Sequence, residues 1–455
     1  MTSLELDNTE NLVGRIEDDP IAQTLPVRAT FIPLRDADLR KKLQEEFAIQ
    51  GDSLDKYDHL CTRIKAIFHV EHLSALLHLE ELYDVLDPDS QLVDVGTLSE
   101  QHRDQMANTL VDRLSDLLFS AHYKRLSRHE LEQAIEVGWQ WGVKLDVDFE
   151  IFDRLDVYAR GYRTVLISRR RWQNFFRKET IELPEFQRLI MAFRVKALPE
   201  TKPKKPRRFQ KKPAEDALDH RFVYLKTFKN IPETDLEILL PGSTVRFSKL
   251  DRAKILFPTL SGMAITAYKI IRGALVLGLA FAWKELLGWF ILIGVTAGYI
   301  VKSFLSYFRT KNNYQFGLTK SLYLKNLDNN SSVIYRILNE AEEQELCEAI
   351  LAYTFLWKDT SRDGLTEKEL DEAVEKFILR ITDVDTDFEI HDALEKLARL
   401  GLASVSDDGR WKAQPIDVAT SELNRNWVSL FETRSSRVGK PLFGDDSGDE
   451  KDAGP

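Results

Sequence analysis

Histidines and carboxylates are the first residues here that could do chemistry. His59, His69, His72 and His78 fall in one stretch that reads as a helix, with Glu80 and Glu81 close behind. Imidazoles and carboxylates are the common zinc ligands and the common general acids and bases. His69 and His72 could share an ion only with a third ligand from elsewhere, and no HExxH pattern is present. Histidines satisfied along a helix are the favoured reading. The stretch DTSRDGLTEKEL, residues 359–370, puts Asp359, Ser361, Asp363 and Gly364 where a calcium loop needs them, but Leu370 stands where the bidentate carboxylate belongs. An Asp-Gly turn feeding a capped helix fits it better. There is no GxGxxG, P-loop or nucleophile elbow. No catalytic, cofactor-binding or metal-ligating residue is therefore expected, and no cofactor. An enzyme with an unrecognised site among the N-terminal acids and histidines is the alternative.

Cations form the second candidate. Residues 160–213 hold 17 Lys/Arg against 4 Asp/Glu, within a chain of 455 residues whose net charge is -10. Arg169, Arg170 and Arg171 precede a Trp, and KPKKPRRFQKKP, residues 202–213, adds Lys204, Lys205, Arg207 and Arg208 in a proline-rich linker that can continue neither helix nor sheet. Such a patch attracts anionic lipid or nucleic acid. Anionic lipid is the expected partner, because the most apolar part of the chain follows.

That part is residues 255–308, which reads as two consecutive helices. Residues 263–283 would be about 31 Å long and 286–305 about 30 Å, each near one hydrocarbon thickness. Lys269 and Arg272 interrupt the first, so they must snorkel to a headgroup layer or face protein, and they are candidate anionic-lipid contacts. Ala274, Gly278 and Ala282 make one small-residue face and Gly294 with Gly298 another, which would let the helices pack closely in lipid. Basic residues flank the pair on both sides, Arg246 and Arg252 before it and Lys302 and Arg309 after it, so both termini are expected on the cytoplasmic side.

The remaining elements follow from pattern and punctuation. Amphipathic stretches at 54–85 and 98–119 read as helices, and Ser127 with Glu130 forms a capping box. Residues 155–196 hold four short runs rich in β-branched and aromatic residues, which read as several strands, with one more at 221–228. Three helical stretches, 342–357, 366–379 and 388–400, precede a hairpin turned by Asp408-Gly409, the order of a winged helix. Thr366 with Glu369 and Thr386 with Glu389 would cap its second and third helices, and Gly401 would end the third. Its recognition helix, FEIHDALEKLARL, carries acids that phosphate would repel, so nucleic acid is disfavoured and a protein partner is expected there. Two cysteines, Cys61 and Cys347, exclude a disulfide framework, and the acidic first twenty residues resemble neither a secretory signal nor a transit peptide.

Several segments together resemble the family of unknown function DUF3754: YLKTFKNIPETDLEILLPGSTVRFSKLDRAKILFP at 224–258, GYIVKSFLSYFRTKNNYQFGLTKSLYLKNLDNN at 298–330 and AEEQELCEAILAYTFLW at 341–357. FIPLRDADL, HLEELYDVLDPDS and HYKRLSRHELEQAI match as well. The resemblance covers most of residues 31–402 and implies an integral membrane protein with two spans, as in a mitochondrial member, and no assigned activity. The acidic N-terminus favours a bacterial cytoplasmic membrane over a mitochondrion.

The expectation is thus an α+β, mostly helical chain. It comprises an acidic N-terminus (1–30), a helical region (31–150), a β-rich basic domain (151–254) with a linker at 200–215, and a transmembrane hairpin (255–308). A winged-helix-like domain (309–415) and an acidic tail (416–455) complete it. The expected function is a two-pass, membrane-anchored, non-enzymatic scaffold or adaptor. Membrane lipid and a cytoplasmic protein met through the C-terminal module would be its partners, and a membrane-tethered nucleic-acid binder is a second alternative.

Overall fold

The computed structural model describes residues 24–25, 28–91, 99–138, 144–170, 178–197, 218–241, 244–246, 322–359 and 363–435, with the single positions 268, 294 and 298. In chain order the elements are β1 (Thr24–Leu25), α1 (Asp36–Glu46), α2 (Asp52–Tyr83), α3 (Glu100–Ser120), β2 (Lys124–Leu126), α4 (Arg128–Gly138) and β3 (Lys144–Asp146). Then come β4 (Phe152–Arg170), β5 (Lys178–Val195), β6 (Tyr224–Pro232), α5 (Leu236–Leu239), β7 (Thr244–Arg246) and β8 (Asn326–Asn329). The chain continues with α6 (Ser331–Lys358), α7 (Glu367–Thr382), α8 (Ile390–Arg399), β9 (Ala403–Val405), β10 (Trp411–Ala413) and α9 (Ile416–Ser435). These elements form two compact units, each drawn from separated stretches of chain.

The first unit is built on an antiparallel sheet of order β1-β4-β5-β6-β8, with β2 also on β4. The four short runs expected at 155–196 are two long strands, paired from Phe152↔Val195 to Arg170↔Lys178. Two breakers inside them are accommodated. Pro184 brings no N–H, but β6 pairs with β5 only from Glu185 inward, so Pro184 sits where that edge of β5 has no β6 partner to donate to. Gly161 has a φ of 69°, and a Cβ there would meet the Gln187 side chain at 2.8 Å. Gly161→Ala is expected to cost about 1–3 kcal/mol, from a strained backbone plus the clash. A lowered denaturation midpoint with unchanged slope would show it.

Alternation decides what each sheet face buries. Leu155, Val157, Leu189, Met191 and Phe193 share a face and pack with Leu131 and Ala134 of α4 and Leu236 and Leu239 of α5. Asp156 points the other way and is 1% exposed. It is held there by Arg125 of β2 and by Arg154, whose Nε lies 2.8 Å away. Burial of that carboxylate is tolerable because two guanidinium groups pair it. The expected Ser127 box forms: Ser127 N–H donates to Glu130 at 2.7 Å and Glu130 N–H to Ser127 Oγ at 3.2 Å.

The second unit is helical apart from β9 and β10. Tyr57, Leu60, Ile64, Ile67 and Phe68 of α2 share a core with Ile350, Tyr353 and Leu356 of α6, Val374 and Phe377 of α7, Leu394 and Leu397 of α8, and Leu423 of α9. The spacing of these residues at three and four puts one apolar stripe of each helix inward.

The membrane expectation is corrected. No helix among the described residues is long and apolar enough to cross a membrane. The longest, α2 and α6 at 32 and 28 residues, carry charges through their middles, Arg63, Lys65 and Glu71 on one and Glu342, Glu343, Glu345 and Glu348 on the other. Hydrocarbon would have to strip water from every one of them. Neither a two-pass anchor nor a multi-pass address in a cytoplasmic membrane is supported by the fold, and the transmembrane part of the expected architecture falls with them. The apolar hairpin expected at 255–308 lies outside the described residues except at Tyr268, Gly294 and Gly298, each helical.

Candidate functional site

Residues 331–413, in the second unit from Ile334 on, follow the element order of a winged helix: α6, a bridging residue, α7, α8 and the β9–β10 hairpin. Leu365 is the bridging residue. Its N–H donates to the Trp411 carbonyl at 3.1 Å and its carbonyl accepts from Trp411 N–H at 2.7 Å. Thr366 and Glu369 form the expected capping box of α7, so the segment that mimics a calcium loop ends in a helix start. Leu370, where a calcium ligand would be needed, is fully buried in the core. Gly401 takes a φ of 72° after α8, and Gly409 turns the hairpin at 78°.

The expected box of Thr386 and Glu389 does not form. Glu389 precedes α8 without capping it, and its carboxylate instead lies 3.8 Å from His122 Nδ1. His122 ends α3 with a φ of 58°, a conformation usual for glycine. That backbone turn carries the imidazole to Glu348 of α6, where its Nε2 meets a carboxylate only 2% exposed. Burial alone would lower the His122 pKa, but the hydrogen bonds and charges of Glu348 and Glu389 outweigh it and hold the imidazole protonated up to about 9.

Further charges continue from Glu348. Lys396 of α8 places Nζ 3.0 Å from Glu348 and 3.7 Å from Glu345. Glu345 lies 3.8 Å from His72 Nε2, while His72 Nδ1 is 2.9 Å from the Phe68 carbonyl. Arg399 grips Glu71 of α2 with two bonds, 2.5 and 3.0 Å. Burial would deprotonate Lys396, but its two glutamates keep it charged and raise its pKa. Low local dielectric strengthens each pairing and makes any missing partner costly.

A ladder underlies this arrangement. Glu342, Glu345 and Glu348 stand three apart on α6, and each meets one histidine: His69 at 3.0 Å, His72 at 3.8 Å and His122. His69 and His72, which could share an ion only with a third ligand, each face an acid of their own. His59 is exposed, and His78 lies 4.0 Å from Glu81. Among the described residues no group of three or more metal-ligating side chains is arranged to hold an ion. The sequence signal for the ladder was the three-residue spacing of Glu342, Glu345 and Glu348 among the charges of α6. Its third histidine lay beyond reach of local pattern, more than two hundred residues away.

The other expected site residues fall elsewhere. Arg169 and Arg170 end β4, in register with Glu179 and Lys178. Arg171, Lys204, Lys205, Arg207, Arg208, Lys269 and Arg272 lie outside the described residues, as do Ala274, Gly278 and Ala282. Gly294 and Gly298 are helical, but the helices expected to pack on them are outside the described residues too.

Fold and site together define an α+β protein whose α8 cations, Lys396 and Arg399, are ion-paired to acids of α6 and α2. Residues 186–332, about a third of the chain, match the model of a family described as protein of unknown function, DUF3754. The match runs from β5 through the start of α6. No solved structure matches the fold.

Proposed function

We propose that the winged-helix part of the second unit is a protein-docking module that takes a basic segment of a partner on the acidic outer surface of α7 and α8. The observation that carries this reading is the pairing of the cations on α8 with acids of the same unit. Lys396 and Arg399, the lysine and arginine of that helix, are spent on Glu348, Glu345 and Glu71. Asp392 and Glu395 are exposed instead, with His391 bridging Glu395 at 3.2 Å and Glu367 at 3.5 Å. Residues 359–399 hold 13 acids and six Lys/Arg. A winged helix that reads DNA must present cations to phosphate, and this surface would repel it. Opposite potential on a partner would steer and orient docking.

Fluorescence anisotropy with a labelled oligo-arginine peptide and a labelled short DNA duplex tests the reading. The full chain is expected to bind the peptide in a salt-sensitive manner and to leave the duplex free. Changing Glu367, Asp392 and Glu395 together to Lys should weaken the peptide about tenfold. Unchanged peptide affinity in that variant, or a wild-type preference for the duplex, would overturn it.

A further inference from the structure

The extended segment Arg28–Leu34 is held on the second unit the way a bound peptide would be. Ala29 is bridged in parallel to Thr386, its N–H donating to the Asp385 carbonyl at 2.7 Å and its carbonyl accepting from Asp387 N–H at 2.7 Å. Beside it the Arg28 guanidinium lies 2.5 Å from Glu375, 3.0 Å from Asp387 and 3.9 Å from Asp385. Four residues on, the Gln344 side chain clamps the backbone of Ile32, accepting from its N–H at 2.8 Å and donating to its carbonyl at 3.1 Å. Ile32 itself is 3% exposed. Backbone bridging to an edge, one charged anchor and one apolar anchor are the elements of strand-addition peptide recognition.

The two ends of the segment differ. Ile32 is fixed in the core, whereas Arg28 is 51% exposed at its side chain. The acids also outnumber their cation. Asp371 adds to the same group, and its Oδ1 is buried with no hydrogen-bond partner among the described residues. Burial first, then the nearby charges of Glu375 and Asp387, raise the pKa of that carboxyl.

We propose that Asp371, Glu375, Asp385 and Asp387, with the backbone edge at Asp385–Asp387, form a receptor for an extended arginine-bearing segment, and that Arg28–Thr30 fills it in cis as a releasable strap. A partner's arginine gains the site by displacing Arg28. The inference rests on the docking reading for its partner, but the release of the strap can be measured alone.

The experiment uses the full chain, wild type and Arg28→Glu, with a labelled peptide of the chain's own sequence PVRATF and an analogue with Glu in place of Arg. Charge reversal opposite three acids should free the strap end, so Arg28→Glu is expected to bind PVRATF about fivefold tighter than wild type, with no gain for the analogue. Hydrogen exchange at the Ala29 and Asp387 amides should quicken in the same variant. Equal peptide affinity for both proteins, or unchanged exchange at Ala29, would refute the strap. Arg28→Ala, which introduces no new charge, should show the same direction to a smaller extent. Oligo-arginine separates the two ideas. If it binds wild type while PVRATF gains nothing from Arg28→Glu, the strap is refuted and the docking surface stands. If it binds neither protein, the docking surface falls and the PVRATF gain decides the strap.

Discussion

Glu348→Ala is expected to destabilise the second unit by about 3–5 kcal/mol, the usual cost of removing one member of a buried ion-paired group. The carboxylate is 2% exposed and holds both Lys396 at 3.0 Å and His122, so its loss leaves two cations in a poorly solvated site with only their more distant acids, Glu345 and Glu389. Pairing the change with Lys396→Met should recover part of the loss, because a buried charge is removed along with its partner. The pH dependence carries the same signature. His122 is raised from its ordinary 6.5 to about 9 in the folded chain, against burial and through Glu348 and Glu389. A raised folded pKa contributes stability that is fully present below about 6.5 and is lost as pH rises through about 9, roughly 3 kcal/mol in all. Denaturant titrations between pH 6 and 10 should therefore show falling stability on the alkaline side, and His122→Gln should flatten that fall. Equal slopes in the two proteins would show that the imidazole is uncharged in the fold.

Asp156→Ala should be the most damaging single change in the first unit, at about 3 kcal/mol. The Asp156 side chain is fully buried, and Arg125 of β2 and Arg154 of β4 converge on it. Arg125 is half exposed and regains water when the acid is gone, whereas Arg154 is more enclosed, which sets the estimate at the lower end of such changes. Arg125→Ala should cost less, since Arg154 still holds the carboxylate. Melting curves of the two variants give the order directly, and equal losses would mean that Arg154 contributes nothing.

Local rules carried the sequence reading as far as local information goes. Ser127 with Glu130 and Thr366 with Glu369 are boxes written within four residues, and both form. Thr386 with Glu389 obeys the same rule and fails, because His122 claims Glu389 from a distant stretch of chain. The β-rich character of residues 155–196 was legible, but the merging of four runs into two strands was not, since Gly161 and Pro184 read as breaks until cross-strand register shows how each is tolerated. The helix order of residues 331–413 was legible from caps and turns, and the acidic surface of its third helix from composition. The ion pairing of Lys396 and Arg399 was not, because it depends on Glu71 and on the acids of α6. Hydropathy, small-residue faces, basic flanks and a family resemblance suggested a membrane hairpin, and no helix among the described residues meets the length and apolarity that crossing requires.

The interleaving of the second unit has a cost during synthesis on the ribosome. Its α2 helix emerges early with Tyr57, Leu60, Ile64 and Phe68 lacking most of their core, because the α6 and α9 residues of the same core are translated only after residue 331. Roughly 250 residues must be added in between, which takes tens of seconds at ordinary elongation rates. Through that interval the nascent chain displays a greasy helix short of its α6 and α9 partners, so its yield should depend on holdase chaperones. Fragments cut anywhere between α2 and α6 should aggregate however soluble the intact polypeptide proves.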